Sequence, residues 1–249
     1  MGHSGAVVLA TYNIKGGVGK TSAAVNLAYL AARGGASTLL WDLDPQGAST
    51  YLLRVKPKVK GGGRRLVQGK TDPDERIKGT DYDGLDLLPA DFSYRHMDLH
   101  LDDAKRPRRR LAKVLAPLMD EYEYVFLDCP PSISLTSENV FEAADALLIP
   151  LLPADLSART LEHIDEVATG AQHLPFFSMV DSRKRMHRDV MERFASQRSD
   201  ILRTVVPLAA DVERMGVARA PLEEFAPRST ATAAFRALWQ EIRERLAGG

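Results

Sequence analysis

Lys15-Gly16-Gly17-Val18-Gly19-Lys20-Thr21 brings three glycines, two ammonium groups and a hydroxyl into seven residues, with Ser22 next in line. Such a set suits an anion. Glycine leaves no Cβ between backbone and ligand. An apolar stretch, Ala6 to Tyr12, precedes the loop, and Val25, Leu27, Leu30 and Ala31 follow it at helical spacing. The glycines therefore sit where a strand turns into a helix, a place that gathers free backbone N–H groups and the positive end of a helix dipole. Two lysines on one short loop repel each other unless a polyanion lies between them. A nucleoside triphosphate with Mg²⁺ supplies one, with Lys20 on the β- and γ-phosphates and the Thr21 hydroxyl on Mg²⁺. A plain glycine-rich turn with two solvated lysines is the other reading. The order strand, loop, Gly-Lys-Thr, helix favours phosphate.

Two acidic sites follow. Thr38 to Trp41 is an apolar run that leads into Asp42-Leu43-Asp44-Pro45-Gln46-Gly47. A strand ending in two carboxylates and a turn places acids at its C-terminal edge, where open parallel sheets bind ligands. Tyr124 to Leu127 ends in Asp128, followed by Cys129-Pro130-Pro131-Ser132. A single aspartate closing a buried strand reads as a Mg²⁺-binding carboxylate, and the two prolines end the strand and stiffen the next loop. Cys129 has no paired base in view and reads as a small packed side chain.

The elements that must hold these groups alternate. Strands are expected at Ala6–Tyr12, Thr38–Trp41, Leu85–Pro89, Tyr124–Asp128, Ala146–Leu152, Phe176–Val180 and Ile201–Val206. Helices are expected after the glycine loop, from Lys105 to about Glu121, at Leu156–Ala168, at Arg188–Ser196 and at Ser229–Leu246. This alternation predicts an α/β three-layer sandwich with a mostly parallel sheet, as one domain spanning residues 1–249. Residues 51–83, with Lys56, Lys58, Lys60, Arg64, Arg65, Lys70 and Gly61-Gly62-Gly63, read as a surface excursion with room for one short helix. A solvated loop is favoured there over a nucleic-acid contact.

The glycine loop departs from the standard P-loop in having Ile14 where glycine is usual and an added Lys15. It resembles the deviant Walker A motif of the ParA/MinD family. Asp42 to Gln46 resembles that family's switch I, and Asp128 to Ser132 its switch II. The resemblance covers about Ala6 to Leu246. It implies an ATPase that dimerises around ATP and Mg²⁺ and turns over slowly. Lys20 would serve its own subunit's nucleotide and Lys15 the partner's. Asp44 would position the attacking water close to Mg²⁺, and Asp42 would support the loop. The loops after the last two strands would lie near the adenine, which puts Asp181 and Pro207 there. By region, nonspecific DNA contacts would come from Arg183, Lys184, Arg185, Arg188, Arg214 and Arg219. A ParB-like cargo adaptor, a cytoplasmic nucleoid location and a chromosome, plasmid or protein-assembly cargo belong to the same implication.

Composition narrows the alternatives. Lysine plus arginine equals aspartate plus glutamate at 33 each, so a basic surface must be a local patch. One cysteine excludes an intrachain disulfide and argues against a resident iron–sulfur cluster. No apolar run is long enough to span a bilayer, and an N-terminus this short would argue against the helix-turn-helix domain that some plasmid relatives carry. A membrane-bound ATPase of MinD type would need a C-terminal amphipathic anchor. Phe235, Leu238, Trp239, Ile242 and Leu246 form an apolar face, but Glu241 and Glu244 favour packing on the sheet over anionic lipid. An ATP-dependent enzyme or chaperone on the same fold is the third reading. Lys105 to Arg110 would place cations at a helix start, against the dipole; with Lys56 to Lys70 it is a basic patch that competes with Arg183 to Arg188, Arg214 and Arg219 for a DNA contact.

Overall fold

Apolar runs become strands wherever both faces can be covered. The computed structural model describes residues 5–57 and 62–248. Seven strands form one sheet: β1 (Val7–Thr11), β2 (Thr38–Asp42), β3 (Lys78–Gly79), β4 (Leu85–Leu88), β5 (Tyr124–Asp128), β6 (Ala146–Leu151) and β7 (Gln172–Phe177). Their order is β3-β4-β2-β5-β1-β6-β7, parallel throughout except for the short edge pair β3–β4. The helices are α1 (Lys20–Arg33), α2 (Ala48–Leu52), α3 (Gly62–Val67), α4 (Met97–Asp102), α5 (Arg110–Leu115), α6 (Leu135–Ala143), α7 (Leu156–Val167), α8 (Arg185–Gln197), α9 (Ala210–Ala218), α10 (Leu222–Phe225) and α11 (Thr230–Ala247).

Side chains alternate along each strand and so feed two cores. Val8, Ala10, Val125, Leu127, Leu147 and Ile149 face α3 to α8. Leu9, Leu40, Phe126 and Leu148 face α1 and α9 to α11. The result is the expected three-layer α/β sandwich. Register then sets the site. Thr11 pairs with Asp128, and Asp42 pairs with Asp128, so three polar strand ends stand level on adjacent strands.

The expected strand Ile201–Val206 does not form. Leu202 and Val206 each donate their N–H to β7 or its end, at Pro175 O (2.8 Å) and Phe177 O (2.9 Å). Between them, the N–H groups of Arg203 and Thr204 are taken by the Glu241 carboxylate of α11 at 2.7 and 2.9 Å. That capture leaves only the isolated bridge Val180–Pro207. The strand expected at Phe176–Val180 begins earlier, at Gln172, and stops at Phe177; Met179, two residues on, takes a left-handed φ of 57°. The helix expected from Lys105 to Glu121 is shortened to α5, flanked by 3-10 turns at Pro107–Arg109 and Ala116–Leu118. Pro117 lacks the N–H needed to continue the α pattern. Residues 51–83 hold more order than a loop, namely α3, a 3-10 turn at Asp74–Arg76 and β3. Lys58, Lys60 and Gly61 lie outside the described residues.

α11 packs inward. Phe235, Leu238, Trp239 and Ile242 are buried, with the Trp239 ring 5.1 Å from Tyr124 and 5.8 Å from Phe126. Lifting that face off the sheet would forfeit about 2 kcal/mol per side chain. Among the described residues, no helix is long and apolar enough to cross a membrane.

Candidate nucleotide site

The loop between β1 and α1 is held from both ends. Asn13 donates through Nδ2 to Pro150 O (2.8 Å), and its Oδ1 accepts from Lys15 N (2.9 Å). Gly19 has φ 99°, and a Cβ there would fall 2.9 Å from Ser178 Oγ; only glycine fits. Lys20 opens α1, is only 7% exposed, and donates through Nζ to Lys15 O at 2.8 Å. The loop thus closes on the ammonium group that reads as its phosphate ligand. Burial pushes the Lys20 pKa below the usual lysine value, and the nearby Asp128 carboxylate opposes the shift. Val18 is buried, so its share in binding is its backbone.

A cavity of about 350 Å³ opens beside this loop. At one end it is lined by Gly16, Gly17, Gly19, Lys20, Thr21 and Ser22, with Asp44 and Pro131 beside them. At the other end Phe176, Met179, Val206, Pro207, Leu208 and Val212 make an apolar wall. A polar cradle joined to an apolar slot fits a phosphate chain joined to a flat ring. Pro207 is on the wall. Asp181 is not; its carboxylate is held by Arg183 at 2.9 and 3.0 Å, which keeps it ionised down to a pKa of about 2. Lys15 does not line this cavity either and contributes only its carbonyl to Lys20. Met179, Leu208 and Val212 were not singled out from sequence, because an apolar residue in a loop carries no motif.

Asp42 and Asp128 close neighbouring strands, and Asp44 follows in the turn after β2. Asp42 is fully buried and accepts from Thr50 N (2.8 Å), Thr50 Oγ1 (2.7 Å) and Asp44 N (3.3 Å). It braces the turn. Asp44 accepts from Gln46 N at 2.8 Å and borders the cavity. Asp128 is fully buried; Ser49 Oγ donates to its Oδ2 at 2.7 Å, and Thr11 Oγ1 stands 3.5 Å from Oδ1. Loss of hydration pushes the Asp42 pKa up to about 8, with the Asp128 charge adding to it. It likewise pushes Asp128 up to about 6, while the Ser49 and Thr21 hydroxyls pull it back. A cation would relieve both. Among the described residues, no group of three His, Cys, Asp or Glu side chains could hold a metal alone. One carboxylate and a hydroxyl beside a phosphate cradle instead suit Mg²⁺, which keeps its waters and leans on substrate oxygens. The Tyr12 hydroxyl donates to Ser132 O at 2.9 Å and ties β1 to the proline loop. Cys129 is buried, and its thiol pKa is pushed well up, as fits a packed side chain.

The basic residues divide into two sectors. Arg183, Lys184, Arg185 and Arg188 cluster at the start of α8 and are exposed. Arg185 lies 3.6 Å from Asp189, and Arg188 donates to Ser182 O at 2.8 Å. Arg214 pairs with Asp211 at 3.1 Å on α9. Arg219 donates to Tyr51 O at 3.0 Å with its guanidinium over the Tyr51 ring. In the competing run Arg108 pairs with Glu138, Arg109 with Glu142 and Arg110 is buried, while Lys105 and Arg106 are exposed.

The family described as an AAA domain, AAA_31, matches residues 6–173. An uncharacterised protein of Mycobacterium tuberculosis is 30% identical over 98% of this chain and 80% of its own length. The chromosome-partitioning ATPase Soj of Treponema pallidum is 27% identical over 94% of this chain and 95% of its own. The chain belongs to the ParA/MinD-like P-loop ATPase family. Among solved structures similar to this ParA/MinD-like chain is cobyrinic acid a,c-diamide synthase from Mycobacterium smegmatis with bound ADP and magnesium. It is 26% identical, with a TM-score of 0.78 over 98% of this chain and 97% of that one.

Proposed function

We propose that this ParA-type positioning ATPase binds ATP with Mg²⁺ in the cavity beside the glycine loop, dimerises around it, holds nonspecific DNA as a dimer and is reset by hydrolysis. The observation that carries the reading is the cavity itself, with Gly16 to Ser22 at one end, an apolar wall around Pro207 at the other and Asp44 at the phosphate end. Lys20 exchanges its bond to the Lys15 carbonyl for β- and γ-phosphate oxygens. Thr21 and Asp128, with Asp44 close by, hold Mg²⁺, which neutralises charge on the phosphates when bound. Asp44 orients water for in-line attack on the γ-phosphate. Lys15, free of its own cavity, reaches the partner subunit's triphosphate. A dimer doubles the basic surface of α8 and α9, so it grips duplex DNA more tightly than either monomer. A ParB-like adaptor on the cargo speeds hydrolysis, which parts the dimer on the nucleoid.

The test is phosphate release with equilibrium ATP binding. Lys20→Ala should lose binding. Asp44→Ala should bind and fail to turn over, and wild-type turnover in Asp44→Ala would remove its assigned role. The likeness to the M. smegmatis synthase favours one second reading, an ATP-dependent amide-forming enzyme. Turnover that needs DNA or adaptor and no small acceptor argues against it.

A further inference from the structure

We propose that a second cleft, between α3, the loop after it and α5, binds a small phosphate-bearing anion. The cleft encloses about 780 Å³, against about 350 Å³ for the nucleotide cavity, and the two share no lining residue.

Arg110 anchors it. The residue is only 9% exposed, yet among the described residues no carboxylate pairs with it. Its Nε donates to Val67 O at 2.5 Å, which accounts for one of its five N–H groups. The guanidinium lies against Gly69, whose φ of 69° favours glycine. Arg76 lines the same cleft. Its side chain is 11% exposed, its Nε is buried with no partner, and its nearest acid is Glu75 at 3.7 Å. Thr71 Oγ1 is also buried with no partner. Both groups border the same cleft.

Buried donors are nearly always satisfied, and a buried cation without an anion is costly. A guanidinium N–H and a hydroxyl without partners, beside a buried arginine that has no acid against it, therefore mark a missing anion on one concave surface. Arg65, Lys70 and Lys113 add charge at the rim, and Asp72 and Glu75 are the two acids in the lining. Glu75 faces Arg76, and Asp72 accepts from Asp74 N at 3.2 Å. Five cations against two acids call for more than one negative charge. Guanidinium forks match phosphate oxygens in pairs. The lining holds no aromatic ring to stack a base, so the ligand is a sugar phosphate or polyphosphate rather than a nucleotide.

The experiment titrates inorganic pyrophosphate into the full chain by calorimetry, in a Lys20→Ala background that disables the glycine loop. Binding should persist in that background. It should fall roughly tenfold or more in Lys20→Ala with Arg76→Gln, the loss of a charged hydrogen bond, and also with Lys113→Glu. Arg76 and Lys113 keep the test independent of whether Arg110→Gln folds. Absence of binding in the Lys20→Ala background overturns the site. So does equal affinity with Arg76→Gln, or equal competition by chloride at matched ionic strength.

Discussion

Ser49 Oγ donates to Asp128 Oδ2 at 2.7 Å, which ties the helix after the first acidic turn to the carboxylate at the end of β5. The bond spans 79 residues of sequence and couples α2 to the Asp128 carboxylate. Ser49 also lowers the Asp128 pKa against the effect of burial. Ser49→Ala should therefore leave Asp128 harder to ionise and weaken Mg²⁺ binding, on the order of tenfold for a residue supporting a metal ligand. A Mg²⁺ titration of phosphate release reads this out. An unchanged midpoint would mean that Ser49 is only a packing contact.

Lys15 contributes its carbonyl to Lys20 and does not line its own cavity. ATP with Mg²⁺ should convert monomer to dimer, most completely in Asp44→Ala, where product does not form. Adding Lys15→Ala should weaken that dimer while ATP binding to the monomer persists. Light scattering against protein concentration decides between the two. A double variant that dimerises like its parent would remove the cross-interface role.

Stability should depend on pH through Asp42 and Asp128. Both folded pKa values, about 8 and about 6, lie above the ordinary aspartate value of 3.8. The folded chain therefore holds protons that the unfolded chain releases. Where the folded state binds more protons, unfolding free energy falls as pH rises, here between about pH 4 and about pH 8. Depressed acids such as Asp181 act in the opposite sense, but below that window. In a chelating buffer the urea midpoint should drop from about pH 5 to about pH 8, and Asp42→Asn should flatten the drop. An equally steep profile in Asp42→Asn would sink the assignment.

Arg185 and Arg188 are the most accessible test of the DNA reading, since Arg185 has only an exposed neighbour and Arg188 only a carbonyl. Changing both to Glu should abolish ATP-dependent binding to random duplex and leave dimerisation intact. The wild type should lose affinity with a log–log salt slope of about −0.9 per phosphate contacted. A doubly changed protein that holds DNA as before would shift attention to Arg214 and Arg219. Wild-type indifference to DNA at low salt would remove the nucleoid reading.

The glycine loop, Asp44 and Asp128 were legible because each is a contiguous motif whose chemistry follows from neighbours in the chain. A strand end, a turn and a helix start are local events, and apolar runs announce the strands that carry them. The three-layer architecture follows from that alternation. The rest depended on contacts between distant residues. Parallel register sets Thr11, Asp42 and Asp128 side by side. Glu241 takes the Arg203 and Thr204 amides, and the strand expected at Ile201 to Val206 does not form. Ser49, one hydroxyl among many in sequence, becomes a partner of Asp128 only when β2 and β5 lie adjacent. The apolar wall at Pro207 to Val212 and the burial of Arg110 with no carboxylate against it have the same origin. Local sequence dictates which backbone geometry forms and which charges are available, whereas burial and pairing depend on which elements the fold brings against them.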